Sequence, residues 1–211
     1  MLAVVDLRVS NLRSVVEAFA RVGASVRVVE RPEDLESGDA IVIPGVGAFG
    51  DGMASLERQG LVGAIRQQVI ERGKPIFGIC LGMQLLADES EEHGRHAGLG
   101  LVQGRVVRLR PSAADQRIPN MGWCDVTPRA RPTVLFGADR TARTFYFAHS
   151  YALACADPAD VAATIDYGGA VTAAIERDHV YGVQFHPEKS QEPGLDLLEG
   201  FVRHAGRGVA V

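Results

Sequence analysis

Cysteine is scarce in this sequence. The 211 residues contain three, at Cys80, Cys124 and Cys155. An odd number without a Cys-x-x-Cys pair argues against both a disulfide framework and a zinc ribbon. We therefore expect a reduced, cytoplasmic chain in which any special cysteine is a nucleophile rather than a structural cross-link.

Long apolar runs are also lacking. No uncharged apolar run approaches the roughly 18 residues that a membrane span needs, and the longest candidate, Pro75–Ala87, contains two glycines and a glutamine. Asp6 and Arg8 interrupt the apolar stretch near the start, which argues against a signal peptide. The sequence thus predicts a cytoplasmic protein that does not enter a membrane.

An excess of positive charge is missing as well. The 22 Lys and Arg residues face 26 Asp and Glu residues, for a formal net charge of −4. This balance gives no sign of a nucleic-acid partner or an anionic membrane surface. The hydrophobic share of 46% and the charged share of 23% are ordinary for a globular chain. At about 150 residues per domain, the length favours a single domain over residues 1–211.

The first half of the chain alternates strand-type and helix-type segments. Strands are indicated at 2–7, 25–30, 41–43 and 76–79; the run at 2–7 is apolar, 41–43 is of the buried type and 76–79 is fully apolar. Helical patterns lie between them. The clearest has Leu12, Val15, Val16 and Phe19 on one face, and another, over 53–72, has a break near Gly60. From about residue 101 onward short strands dominate, one of them predicted over 144–151, and a last helix is predicted at 194–204. The pattern predicts an α/β fold with a mostly parallel central sheet flanked by helices and a β-rich second half.

Cys80 lies in a Gly-x-Cys-x-Gly pattern between a predicted strand and a predicted helix. This is the nucleophile-elbow pattern with cysteine in place of serine. Gly78 and Gly82 remove Cβ clashes, and the helix N-terminus that follows favours the thiolate. The backbone N–H of Leu81 is placed to stabilise an oxyanion. The competing interpretation is a buried structural cysteine beside two packing glycines.

A thiol nucleophile needs a base, and His186 is the candidate. It ends a predicted strand, and Glu188 lies two residues on, where an extended chain places side chains on the same side. Glu188 would then hold the ring in one tautomer and stabilise the imidazolium. A surface His-Pro turn with an incidental acid is the alternative. His93 and His96 lie in an acidic stretch that we interpret as a solvated loop, so no metal site is predicted.

The loop after the third strand matches Gly-x-Gly-x-x-Gly over Gly45–Gly50. A dinucleotide site is rejected, because that fingerprint belongs on the first strand of the unit, with an acid at the tip of the next. We interpret the segment as a flexible loop beside the elbow. Its backbone at Val46 would supply a second oxyanion donor.

Together these motifs resemble the class I (triad) glutamine amidotransferases and, within them, the family of glutaminase subunits of imidazole glycerol phosphate synthases. The resemblance covers essentially the whole chain. The stretches that carry it are Asn11–Ser14, Pro44–Gly47, Gly78–Gln84, Met121–Trp123, His149–Tyr151 and Gln184–Ser190. It implies one amidotransferase domain that releases ammonia from glutamine, without a cofactor, for histidine biosynthesis.

The resemblance also implies roles for individual residues. Cys80 attacks the glutamine carboxamide, His186 moves the protons and Glu188 orients His186. Glutamine is held by Gly47, Gln84, Ser150 and Tyr151. The face that meets a (β/α)8-barrel cyclase partner, in a heterodimer that channels ammonia, carries Asn11, Met121, Trp123 and Lys189.

Two departures from the family pattern lie near the expected partner face. Asp6–Asn11 replaces the usual Asp-Tyr-Gly-x-Gly-Asn, and Cys124 follows Trp123 where asparagine is usual. Two other functions stay open. One is the glutaminase of another amidotransferase, such as pyridoxal-phosphate synthase, against which Met121–Trp123 argues. The other is a stress or chaperone-type protein on the same fold with Cys80 as a redox sensor, which needs neither His186 nor Glu188.

Overall fold

The computed structural model describes residues 1–8, 12–113 and 116–206. Within these ranges the chain forms thirteen strands and five α-helices. The strands are β1 Leu2–Val5, β2 Val26–Val29, β3 Ala40–Gly45, β4 Ile76–Cys80, β5 Ala87–Ser90, β6 His96–Ala97, β7 Val102–Arg108, β8 Asn120–Pro128, β9 Arg143–His149, β10 Tyr151–Cys155, β11 Val161–Asp166, β12 Ala170–Arg177 and β13 Val180–Val183. The helices are α1 Leu12–Arg21, α2 Phe49–Arg58, α3 Leu61–Arg66, α4 Leu81–Leu85 and α5 Gln191–Ala205.

Nine strands form the central sheet, in the order β2-β1-β3-β4-β13-β12-β11-β8-β9. The first five run parallel, and the remaining four extend the sheet by antiparallel pairs. Strands β1, β3, β4 and β13 are buried at every position, and the apolar runs at 2–7, 41–43 and 76–79 pointed to the first three of them. The predicted α/β class with a β-rich second half is confirmed, and the antiparallel half of the sheet comes from that second half.

Helices cover both faces of the parallel strands. Successive residues of β1 point to opposite sides, so Val4 packs with α1 and α5 in one core while Val5 packs with α2 and α4 in the other. A second sheet, ordered β10-β7-β5-β6, lies beside the second core. None of the helices in the described ranges has the length and apolarity needed to cross a membrane.

Two predicted boundaries are wrong in ways that matter for the site. Helix α2 begins at Phe49, inside the predicted glycine-rich loop, because the Glu92 carboxylate accepts the Phe49 N–H at 2.7 Å and caps the helix. The strand predicted over 144–151 is two strands, β9 and β10, which separate at Ser150 and enter different sheets. The chain therefore turns where the sequence showed only continuous β-type residues.

Candidate active site

Cys80 lies at a sharp strand-to-helix turn. It is the last residue of β4 and the N-cap of α4, with φ 54° and ψ −107°, a backbone conformation that is strained for a residue with a side chain. The flanking glycines make the turn possible. A Cβ at Gly82 would lie 1.6 Å from the carbonyl oxygen of Ile43, and one at Gly78 would lie 2.5 Å from the Met83 nitrogen. The turn places the Leu81 N–H directly after the sulfur, at the first position of α4.

His186 and Glu188 form a buried pair near this turn. The His186 Nδ1 lies 2.8 Å from Glu188 Oε1, and both side chains are at most 3% exposed. Their contact does not use the extended chain that the sequence suggested. His186 instead caps a 3₁₀ turn at Pro187–Lys189, and this turn brings the carboxylate back to the ring. The His186 N–H is anchored to the Tyr146 carbonyl at 2.8 Å.

The charges around His186 favour its imidazolium. Burial by itself lowers the pKa of His186, but the nearby Cys80 sulfur and the Glu188 carboxylate outweigh burial and raise the pKa to about 10. The Nε2 atom is buried and has no partner with hydrogen-bond geometry among the described residues. His186 is therefore held as an imidazolium beside Cys80, with its Nε2–H available for proton transfer.

A pocket of about 230 Å³ opens over Cys80. Its lining is Gly47, Cys80, Leu81, Gln84, Glu92, Pro119, Met121, Ala148, His149, Ser150 and Tyr151. The structure thus brings all four predicted glutamine-binding residues, the first predicted oxyanion donor and Met121 into one cavity with the nucleophile. Glu92 is a pocket residue that the sequence analysis missed, because it lies in the stretch that was interpreted as a solvated acidic loop.

Val46, the second predicted oxyanion donor, is not among the residues that line this pocket. It is 38% exposed and lines a small crevice together with His186, Glu188 and Lys189. Its neighbour Gly47 has φ 103°, a conformation that glycine adopts without strain. The Val46 loop therefore lies between the pocket and the proton-transfer pair.

Three of the four predicted partner-face residues lie on one exposed surface. Met121 and Trp123 on β8 are 66% and 50% exposed. The Trp123 ring packs edge-on against Tyr146 at 5.9 Å, and the Lys189 ammonium lies 5.8 Å from the centre of the same tyrosine ring. The fourth residue, Asn11, lies outside the described residues. Since Met121 also lines the pocket, this surface meets the mouth of the candidate site.

The chain is similar to known proteins over nearly its whole length. The chain matches the family described as "Glutamine amidotransferase class-I" over residues 3–205. It is 46% identical over 206 residues to the imidazole glycerol phosphate synthase subunit HisH of Methanothermobacter thermautotrophicus, covering 96% of this chain and 98% of that protein. It is 45% identical over 208 residues to the subunit of the same name from Moorella thermoacetica, covering 97% of each.

Solved structures share the fold. A crystal structure of a glutamine amidotransferase superposes with a TM-score of 0.75 at 23% identity, covering 97% of this chain and 98% of that one. The structure of PurLQS from Thermotoga maritima gives 0.76 at 22% identity, covering 96% and 97%. At these identities the likeness concerns the fold.

Proposed function

Because this chain belongs to the class I glutamine amidotransferase family and, within it, to the HisH subunits of imidazole glycerol phosphate synthase, we propose that Cys80, His186 and Glu188 are its catalytic triad. Membership makes it a glutaminase subunit that serves histidine biosynthesis, not the glutaminase of pyridoxal-phosphate synthase. The observation that carries the triad is the buried 2.8 Å pair of His186 and Glu188 behind a strained Cys80 elbow. A redox-sensor role for Cys80 would not need that pair.

Acylation begins with attack of the Cys80 thiolate on the side-chain carboxamide carbon of glutamine. The new C–S bond pushes the carbonyl electron pair onto oxygen, where the Leu81 N–H and the Val46 backbone N–H stabilise it. Collapse of this intermediate breaks the C–N bond. The His186 imidazolium gives its Nε2 proton to the leaving nitrogen, which departs as ammonia and leaves a glutamyl thioester.

Deacylation uses the same groups in the reverse sense. Neutral His186 takes a proton from a water molecule as that water attacks the thioester carbon. The C–S bond then breaks, glutamate leaves, and the thiolate and imidazolium are restored. Throughout, Glu188 keeps Nδ1 protonated and Nε2 turned toward the sulfur. No step requires a metal or a cofactor.

We propose that the pocket holds glutamine through Gly47, Gln84, Ser150 and Tyr151. Glu92 adds a carboxylate to a lining that otherwise contains no Asp, Glu, Lys or Arg, and it suits the α-ammonium group of the substrate. One Glu92 oxygen already accepts the Phe49 N–H, so the side chain is held in place before substrate arrives.

The partner that we propose is a (β/α)8-barrel cyclase subunit in the cytoplasm. It would dock on the surface of Met121, Trp123 and Lys189, and the family resemblance assigns Asn11 to the same contact. Ammonia would pass from the pocket mouth at Met121 into the barrel, whose products are imidazole glycerol phosphate and an aminoimidazole-carboxamide ribotide.

Substitutions of His186 and of Glu188 are expected to lower glutaminase activity by different amounts. Replacing His186 by alanine removes the group that carries both protons, whereas Glu188→Gln keeps a group that can still accept from Nδ1–H. We expect His186→Ala to lower kcat/KM for glutamine by roughly 30-fold or more beyond the loss in Glu188→Gln. Steady-state glutamate formation measures both. Equal losses would give Glu188 a larger part than orientation.

Activation by the partner tests the role of the Val46 loop. Glycines at positions 45 and 47 let a peptide flip there at little cost, so the lone subunit can hold its donor turned away. We expect slow glutamate formation by the chain alone and a rise of about 10²–10³-fold with the barrel subunit plus a nucleotide substrate analogue, the effect of one oxyanion donor. Full activity in the lone chain would mean that the loop is preformed.

A further inference from the structure

Gln184 contacts the nucleophile but has no part in the triad or the glutamine pocket. It follows β13, its side chain is fully buried, and its amide nitrogen Nε2 lies 3.7 Å from Cys80 Sγ, within hydrogen-bonding reach of sulfur. Its other amide atom, Oε1, accepts from the Gln84 Nε2 at 3.1 Å. Both ends of the Gln184 amide are thus used, one of them on the reacting atom.

The orientation of the Gln184 amide is determined by its neighbour Gln84 and by the main-chain carbonyl of Tyr151. A carbonyl oxygen only accepts hydrogen bonds, so the Gln84 atom that lies 2.8 Å from the Tyr151 carbonyl must be the nitrogen. That nitrogen also faces Gln184, which must therefore present its oxygen to Gln84. The Gln184 N–H groups are then left to point at the sulfur. One main-chain carbonyl fixes the direction of two amides in series.

The Tyr151 carbonyl is itself held by a second donor. His149 Nδ1 lies 2.9 Å from it, and His149 Nε2 lies 3.2 Å from the Asn120 amide nitrogen. Burial lowers the pKa of His149 to about 4, so the ring is neutral and donates from Nδ1 while accepting at Nε2. The carbonyl therefore accepts from both His149 and Gln84, which uses its two lone pairs.

We propose that Gln184 is a further catalytic residue of this glutaminase: its amide N–H stabilises the Cys80 thiolate, and the Tyr151 carbonyl, acting through Gln84, holds the amide in the donating orientation. The catalytic role of Gln184 rests on the proposed glutamine hydrolysis, whereas its contact with the Cys80 sulfur does not depend on that proposal. Cys80 is only 5% exposed, so its thiolate needs protein donors in place of water. The same donor stabilises the thiolate as the leaving group when the thioester is hydrolysed.

Alkylation of Cys80 by iodoacetamide, a small neutral probe, measures the thiolate directly. The modified peptide is quantified by mass spectrometry across pH in the full-length protein. In Gln184→Glu the side chain keeps its size and its ionised form loses the donors. Gln184→Met also removes the donors but adds no charge beside the sulfur, so it should shift the midpoint in the same direction. We expect the midpoint of the rate-against-pH curve to rise by about one pH unit and the rate at pH values below both midpoints to fall roughly tenfold, the scale of a charge-assisted hydrogen bond. Turnover of glutamine should fall mainly in kcat.

A second variant tests the orientation separately. Gln84→Glu leaves Gln184 in place but makes its neighbour an acceptor, which turns the Gln184 nitrogen away from the sulfur. We expect a similar upward shift of the alkylation midpoint. Gln68→Glu, at a buried glutamine outside the pocket, is the matched control for burying a carboxylate and should leave the midpoint unchanged. Circular dichroism verifies folding, and Gln184→Met replaces any variant at that position that fails to fold.

The outcomes separate the two proposals. Folded Gln184 variants with the parental midpoint would overturn the thiolate role. A shifted midpoint in Gln184→Glu but not in Gln84→Glu would overturn the claim that the Tyr151 carbonyl orients the Gln184 amide through Gln84. The third outcome is that the variants shift the midpoint but the parent protein hydrolyses no glutamine. That outcome would overturn the proposed function and leave the contact between Gln184 and Cys80 standing.

Discussion

Glutamate formation is expected to fall by about 10⁴-fold or more when Cys80 is replaced by alanine, because removing a triad nucleophile leaves only binding and oxyanion stabilisation. Alanine keeps the backbone of the elbow and removes only the sulfur. The measurement is glutaminase turnover with the barrel partner present, so that low activity of the lone chain does not mask the loss.

The other two cysteines provide the matched controls. Burial raises the pKa of Cys124, and it raises the pKa of Cys155 to about 11, so both remain thiols at neutral pH. Cys124→Ala and Cys155→Ala should keep the parental turnover. An electrophilic glutamine analogue should label Cys80 alone, and labelling should stop in His186→Ala. Strong labelling of Cys124, with activity retained in Cys80→Ala, would assign the nucleophile elsewhere.

The free energy of unfolding is expected to fall by about 3 kcal/mol or more in Gly82→Ala, the upper end of overpacking effects. The added Cβ would lie 1.6 Å from the Ile43 carbonyl oxygen, and that atom belongs to the central strand β3 rather than to a flexible side chain. For a chain of this size the loss corresponds to roughly 6–12 °C in Tm. Differential scanning calorimetry measures it.

Gly63 is the matched control for this substitution. It lies in helix α3, and no heavy atom would meet its added Cβ within 4 Å. Gly63→Ala should stabilise the protein by about 0.5–1 kcal/mol, since alanine loses less backbone entropy in a helix. A Gly82→Ala protein as stable as the parent would mean that α4 can move away from β3 without cost.

The sequence alone determined the features whose signal is local. The apolar runs predicted the buried strands β1, β3 and β4, and Gly60, with φ 68°, divides α2 from α3 where the sequence suggested a break. The Gly-x-Cys-x-Gly spacing predicted a turn that only glycines on either side of Cys80 permit. In each case the residues that form the pattern also determine the local structure, so the prediction did not depend on distant segments.

Only the tertiary structure decided how distant segments meet around the sulfur. Glu92 caps α2 across 43 residues of chain, and Gln84 reaches Gln184 across 100. Strand β9 ends before Ser150 because the next strand, β10, pairs with β7 of the second sheet. The residue types in this stretch do not specify which strand β10 pairs with. Hydrogen bonds between segments this far apart depend on how the sheets and helices pack. The direction of the Gln184 amide toward Cys80 therefore follows from the assembled network and from no single stretch of sequence.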